Sequence, residues 1–302
     1  MAISRAQLVK ELEPGLNALF GLEYDRYTNE TAEIFTTETS DRAFEEEVML
    51  SGFGSAATKA EGASVTFDDA KEAFTARYTH QTIALAFAIT EEAIEDNLYD
   101  RLGNRYARAL ARSMANTKQV KGAEILNNAF STSQLGGDGV VLCSTAHPTV
   151  SGTSLSNTFT TQADLSETSL ESALINIAAF IDERGLKISI QGTKLILPKE
   201  LQFTAERILK SPLRVGTADN DINAIANMNM IPEGYRVNHY LNDTNAWFIK
   251  TDTPNGFKHF VRAALRTAME GDFDTGNVRY KARERYVFGF SDPRGVFGSP
   301  GA

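Results

Sequence analysis

Residues 90–130 read TEEAIEDNLYDRLGNRYARALARSMANTKQVKGAEILNNAF, and their reading decides the fold. The spacing predicts one helix of roughly forty residues, against a usual length of about 11–12, spanning on the order of 60 Å at 1.5 Å per residue. Thr90 is placed to cap it, with Glu91, Glu92, Glu95 and Asp96 setting negative charge at the positive helix start. Ile94, Leu98, Leu102, Tyr106, Leu110 and Met114 recur every four residues. Such a line precesses around the helix and meets different partners along its length. Arg101, Arg105, Arg108 and Arg112 form a second, basic stripe, which Lys118 and Lys121 continue. A stripe of this kind is either a solvated face or a contact for acidic neighbours.

Upstream, residues 46–89 predict a long β-hairpin whose second strand runs from Phe74 to Ile89. There Ile83, Leu85, Phe87 and Ile89 alternate with Ala84, Ala86 and Ala88, giving one face of large residues and one of small. The outer part, around 55–75, has too few large apolar residues to be held by a core, so it is expected to be mobile or to lie on another subunit. Residues 1–45 read as an arm without a core of its own. Ser4 and Gln7 suit a helix start, and Pro14-Gly15 is expected to break or kink that helix.

Downstream, VVLC at 140–143 predicts a short strand, and a new unit is expected near Gln162, where Asp164 and Glu167 suit a helix cap. The helix stripe Leu170, Leu174, Ile177 and Ile181, the buried strand KLILP, an amphipathic helix in PKELQFTAERILKS and an antiparallel pair YRVNHYL and AWFIKTD describe a compact α/β unit to about residue 251. From Pro254 the pattern is β. In VRYKARERYVFGF, Val278, Tyr280, Ala282, Glu284, Tyr286, Phe288 and Phe290 share one face, while Arg279, Lys281, Arg283, Arg285 and Val287 share the other. A row of bases must be solvated or paired, because unpaired burial costs several kcal/mol. The tail SDPRGVFGSPGA offers little beyond turns.

The chain has 302 residues, 42% of them hydrophobic and 23% charged, enough for about two domains with a sizeable core. A net charge of −9 argues against a dedicated nucleic-acid binder. No run approaches eighteen apolar residues and MAISRAQLVKEL lacks an apolar targeting core, so no membrane partner is expected. The one cysteine, Cys143, excludes an intrachain disulfide and fits a reducing compartment. Chemical motifs are weak. Gly52-Phe53-Gly54 precedes a hairpin rather than a strand–helix turn, and Asp272, Asp274 and Asn277 lack the spacing and terminal Glu of a calcium loop. Cys143 and His147 suit a thiol–imidazole pair only if the fold brings them together, against the simpler reading of a satisfied turn histidine. No cofactor or metal is implied.

AFAITEEAIEDNLYDRLGNRYARALARSMANTKQ, LCSTAHPTVSGTSLSN, LQFTAERILKSPLRVGTADNDINAI and FDTGNVRYKARERYVFGFSDPRGVFGSPGA resemble the HK97-like major capsid proteins of tailed bacteriophages, in particular relatives of the Mu-like major head subunit. The resemblance runs from about Glu45 to the end. It implies an α+β HK97-like fold with an N-terminal arm (1–45), an extended loop (46–89), a peripheral domain (90–161) with its spine helix at 90–130, an axial domain (162–251) and a return to the peripheral sheet (252–302). It implies no enzyme, but a virion subunit made in the host cytoplasm, whose copies build the pentamers and hexamers of an icosahedral shell around double-stranded DNA. Portal, scaffold and decoration proteins would be its other partners. Because no heptad-rich N-terminal segment serves as a built-in scaffold, a separate scaffold or a processed segment is expected. Expected intersubunit contacts are Lys59, Asp68, Asp69, Lys71, Arg101, Arg105, Arg108, Arg112, Arg279, Arg283 and Arg285, the bases meeting acids such as Glu45, Glu46, Glu47, Asp68 and Asp69 of another chain. Some relatives link subunits through a Lys–Asn bond, and Lys59 sits in the extended loop, but no motif marks an acceptor. An encapsulin-type compartment subunit shares the fold and is the alternative; a soluble enzyme using Cys143 and His147 is the remote one.

Overall fold

The computed structural model describes residues 5–90, 92, 93, 99–213, 221–272 and 276–302, the side chains of 5–12 and 99–102 excepted. Its first helix, α1 (Arg5–Arg26), runs through Pro14, against the expected break. A proline inside a helix costs about 3 kcal/mol. Leu16 and Phe20 just beyond it are fully buried, each contributing roughly 1.5–3 kcal/mol, so packing outweighs the lost hydrogen bond. The long helix, α2 (Tyr99–Asn127), keeps 29 described residues, about 44 Å at 1.5 Å per residue. At the predicted start, Thr90 Oγ1 accepts from the Ala93 amide at 3.4 Å; residues 91 and 94–98, with Ile94 and Leu98 of the apolar line, lie outside the described set.

Two four-stranded sheets organise the rest. In the first, β1 (Thr36–Thr39) runs parallel to β10 (Phe257–Gly271), which pairs antiparallel with β11 (Val278–Phe290), and β11 pairs with the edge strand β4 (Gln81–Ile89). The predicted alternation of β11 is present, with the Val278 to Phe290 face buried and Arg279, Lys281 and Arg283 exposed. That buried face, with Ile83 and Phe87 of β4, packs on α1 and α2 through Leu16, Phe20, Leu110 and Met114. The N-terminal arm therefore docks on its own chain, and Ile34 and Phe35 enter the core between the sheets.

The predicted second hairpin strand is two strands. β3 (Glu72–Thr79) pairs antiparallel with β2 (Phe44–Leu50) as a separate ribbon, and the chain passes through buried His80 into β4 of the first sheet. Beyond Ser51, whose amide donates to Lys71 O at 2.8 Å, residues 53–71 hold no strand.

The second sheet has the order β12 (Val296–Ser299), β9 (Trp247–Thr251), β7 (Gly192–Leu197), β8 (Tyr235–Val237). β8 and β9 are thus not the predicted antiparallel pair: β7 lies between them, parallel to β8 and antiparallel to β9. The tail is not featureless, since β12 is wholly buried beside β9. Leu195, Leu197, Trp247, Ile249 and Phe297 face one core with helices α3 (Glu167–Ala178), α4 (Gln202–Lys210) and α5 (Ala224–Asn227), while Ile196, Phe248 and Val296 face the core shared with the end of α2. The cap of α3 is Ser166 in a reciprocal pair with Ser169, two residues after the predicted Asp164. Residues 140–143 form no strand; Val141 makes a single bridge to Leu135, and the nearby ladder is β5 (His147–Pro148) with β6 (Ser154–Leu155).

Candidate functional site

One face of the first sheet packs on the helices; among the described residues, the other is covered only at one end, where Tyr78 of β3 lies on Phe260 and Val287. On that other face the register sets Arg279 beside Ala88, Lys281 beside Ala86 and Arg283 beside Ala84, with Arg266 of β10 opposite Arg283. All of these residues are exposed, so the surface is flat, small-residued and basic. Arg279 is drawn to Asp272 at 2.5 Å; Arg285 is half-buried, its Nε without a partner. On α2, Arg105, Arg108 and Arg112 are exposed, and among the described residues only Arg112 of the three approaches an acid, Glu23 at 3.9 Å. The side chain of Arg101 lies outside the described set.

The loop at 51–71 is the second feature. Lys59, Asp69 and Lys71 are exposed, as are Phe53 and Val65, while Phe67 keeps 96% of its surface in water. Exposed apolar groups collected on one coreless loop mark an interaction surface. Asp68 is engaged within its own chain, accepting from Arg184 Nη2 at 2.6 Å. Three of the other acids expected to reach a neighbour are also held at home. Glu46 pairs with Arg77 at 3.7 Å, Glu45 accepts from Ser40 at 2.6 Å, and Glu47 pairs with Lys258 at 3.3 Å.

Lys258 belongs to a buried anchor that sequence patterning did not reveal. It sits between Glu38 of β1, at 2.5 Å, and Glu47 of β2. Burial opposes its charge, but the two carboxylates more than offset this and raise its pKa above the ordinary lysine value. Tyr78 and Glu47 converge on Ser291, so the ribbon is fixed at its root. A second anchor is Arg294, 4% exposed. It donates to Glu183 at 2.5 Å, to Asp292 at 3.2 Å and to Ile181 O at 2.7 Å, with Met49 Sδ of β2 at 3.6 Å. Burial pushes the Asp292 carboxyl up, and the two acids keep the Arg294 charge favourable against burial. This group ties the ribbon, the second sheet and the C-terminal segment together.

Catalytic chemistry finds no such convergence. His147 is buried with Nδ1 2.6 Å from Asp138 and Nε2 3.2 Å from Asn157, so both ring nitrogens are engaged away from Cys143. Asn157 in turn donates to Leu142 O and Pro293 O. The Cys143 thiol is buried and burial pushes its pKa up, the reverse of what a nucleophile needs. Among the described residues, no group of three or more His, Cys, Asp or Glu side chains is placed to hold a metal, and no helix is long and apolar enough to cross a membrane.

Residues 71–298 match a family model described as phage capsid protein. No curated protein matches the sequence. Among solved structures, the chain is similar to the procapsid of bacteriophage JBD30 (15% identity, TM-score 0.55, 98% of this chain and 76% of that one) and to the capsid of Myoviridae phage XM1 (10%, 0.52, 92% and 93%). It is also similar to the holo-SrpI encapsulin complex of Synechococcus elongatus PCC 7942 (10%, 0.53, 92% and 89%). At such identities the likeness carries the fold alone, which is of the HK97 type.

Proposed function

Since this chain belongs to the phage capsid protein family, we propose that it is the major head subunit whose copies close into hexamers and pentamers of an icosahedral shell around double-stranded DNA. The observation that carries this reading is the pairing of two unfinished surfaces, the basic alanine-flanked sheet face and the coreless loop exposing Phe53, Val65 and Phe67. Most of the exposed area of each is left uncovered by the described residues of its own chain, and complementary surfaces of this kind are what the identical subunits of a closed assembly supply to one another. The loop of one copy lies on the sheet face of the next, with Asp69, Glu61 and Glu72 as the acids that carry no ion pair among the described residues. Lys59 and Lys71 flank that contact. The α2 stripe of Arg105, Arg108 and Arg112 meets acids of a further copy or the genome phosphates. Scaffold and portal proteins are further partners, assembly takes place in the host cytoplasm, and the chain has no catalytic task.

Sedimentation velocity with negative-stain microscopy, on the protein made with and without its neighbouring genes, tests this. Closed shells or rings of five or six subunits are expected; a monodisperse monomer or dimer under every condition overturns it. The likeness to an encapsulin keeps one second reading, a compartment around an enzyme cargo. Nucleic acid inside purified particles supports the head subunit, and a single co-purifying protein cargo supports the compartment.

A further inference from the structure

We infer that Arg184 is a positioning residue for the extended loop, clamping residues 51–71 through Asp68 onto the turn at 182–186 of the same chain, so that the loop is aimed before a second copy arrives. This rests on the capsid reading for its purpose, and on intrachain geometry for its existence.

The loop has no strand of its own, and Asp68 joins its two limbs. Asp68 Oδ1 accepts from Arg184 Nη2 at 2.6 Å, and Oδ2 accepts from the amide of Gly54, on the outgoing limb, at 2.7 Å. A Cβ on residue 54 would stand 3.3 Å from Asp68 Oδ2 and 3.9 Å from Arg184 Nη2, so glycine leaves the space in which the carboxylate is gripped. The Arg184 hydrogen bond, then that amide, hold the Asp68 carboxyl down at about 2, and the clamp stays charged at any ordinary pH.

Arg184 is itself held. Its amide and that of Leu186 both donate to Asp182 Oδ1, at 2.8 and 2.7 Å, and the Asp182 amide donates to Leu186 O at 2.8 Å. Gly185 supplies the positive φ of 82° that the turn needs. Glu183, next to Arg184, is locked on buried Arg294. The clamping side chain is thus mounted on a turn tied to the fold's buried charged anchor. Between that turn and the ribbon lies a groove of about 590 Å³, lined by Met49, Ser51, Asp182, Ile188, Ile190 and Asp252. The grip is narrow and polar, and it leaves Phe53, Val65 and Phe67 exposed. A single ion pair at the surface is a weak hold, enough to bias a direction and weak enough to yield when a larger contact forms.

The test uses the dilute, unassembled full chain. Lys59 and Lys71 are the loop's only tryptic sites, so the rate of cutting at Lys59 reads how often the loop opens. Arg184→Ala and Asp68→Ala are each expected to speed that cut roughly three- to fivefold, with sites elsewhere unchanged, and the exchange Arg184→Asp with Asp68→Arg restores the slow rate. An unchanged rate in both single variants, an equal acceleration at all sites, or an exchange that fails to restore protection overturns the clamp. Shell formation by the wild type is scored separately by microscopy. Wild-type shells with unaltered cutting in the variants remove the clamp and leave the capsid reading; the expected cutting pattern without shells does the opposite.

Discussion

The two four-stranded sheets are built from similar strands and end in opposite conditions. In the β12-β9-β7-β8 sheet, successive residues of the inner strands enter two different cores, so Leu195 and Ile196, or Trp247 and Phe248, are all buried. In the β1-β10-β11-β4 sheet the first half of β11 buries only every second residue, and between them Arg279, Lys281 and Arg283 stand in water. A sheet closed on both faces is complete within one chain. One closed on a single face keeps a surface for something else. Replacing Trp247, fully buried in the closed sheet, with Ala should therefore cost about 3–5 kcal/mol, out of a typical 5–15 kcal/mol for a whole fold. The urea midpoint of the unassembled subunit measures it, and an unshifted midpoint would break the contrast between the sheets.

Arg294→Met should cost a similar amount, about 3–5 kcal/mol, because Glu183 and Asp292 remain buried without their cation. The deficit should shrink as pH falls and Asp292, whose carboxyl burial pushes up, takes a proton. A deficit that is independent of pH would mean that lost packing, not unpaired charge, carries the effect.

Where the sequence was legible, the pattern was local. The alternation in the first half of β11, the helix at α2 with Leu110 and Met114 buried, and the Leu170, Leu174 and Ile177 stripe of α3 each follow from one segment's own spacing and are present, whereas Tyr106 of the α2 line is exposed and Ile181 lies past the end of α3. The misreadings concern partners distant in the chain. The apolar positions of residues 74–89 change phase, from Phe74, Ala76 and Tyr78 to Ile83, Leu85, Phe87 and Ile89; reading them as one strand passes over the transfer from ribbon to sheet at His80, where a buried ring bonded to Ser40 turns the chain. β8 and β9 are sequence neighbours, yet β7, some forty residues earlier in the chain, sits between them. The four residues of β12 carry too little pattern to announce themselves. The open sheet face was half legible, since the basic row was visible in the alternation. Buried Arg294 and Lys258 were not, because a charged residue in a sequence reads as surface until its counter-charges are placed. Asp68 reads in the sequence as a partner for bases of another chain, whereas the structure gives it Arg184 of its own chain, 116 residues away.

A smaller effect separates the faces by pH. His259 is buried against Phe288, ring centroids 4.2 Å apart, and burial lowers its pKa from 6.5 to about 3. Burial lowers that of His80 as well, with Arg285 of β11 and Arg262 of β10 adding to the shift and Glu45 of β2 opposing it. The unfolded chain takes up these protons near pH 6.5 and the folded one does not, so their contribution to stability is complete above that pH. For His259 it is lost progressively between about 6.5 and 3, at up to about 1.4 kcal/mol per pH unit. His259→Phe should flatten that part of the profile. If the wild-type and variant curves run parallel through it, the histidine is not the proton acceptor.

The smallest expected effect on folding is the most informative about the open face. Lys281 and Arg283 are exposed, carry no ion pair among the described residues, and stand beside alanines across β4. The double reversal Lys281→Glu with Arg283→Glu removes nothing the single chain uses, so its urea midpoint should move by no more than about 0.5 kcal/mol. Assembly should respond in the opposite proportion. The reversed face would set like charges against the acids of an incoming loop, and shell yield should fall most at low salt, where charges a Debye length of about 10 Å apart still act. High salt should recover part of the yield. Ala86→Leu, which changes no charge, should lower the yield at every salt concentration by lifting the loop off a flat surface. A reversal that unfolds the subunit would show the row to be part of the fold, and one that leaves both stability and yield unchanged would show it to be ordinary solvated surface, with the partner of the loop to be sought elsewhere.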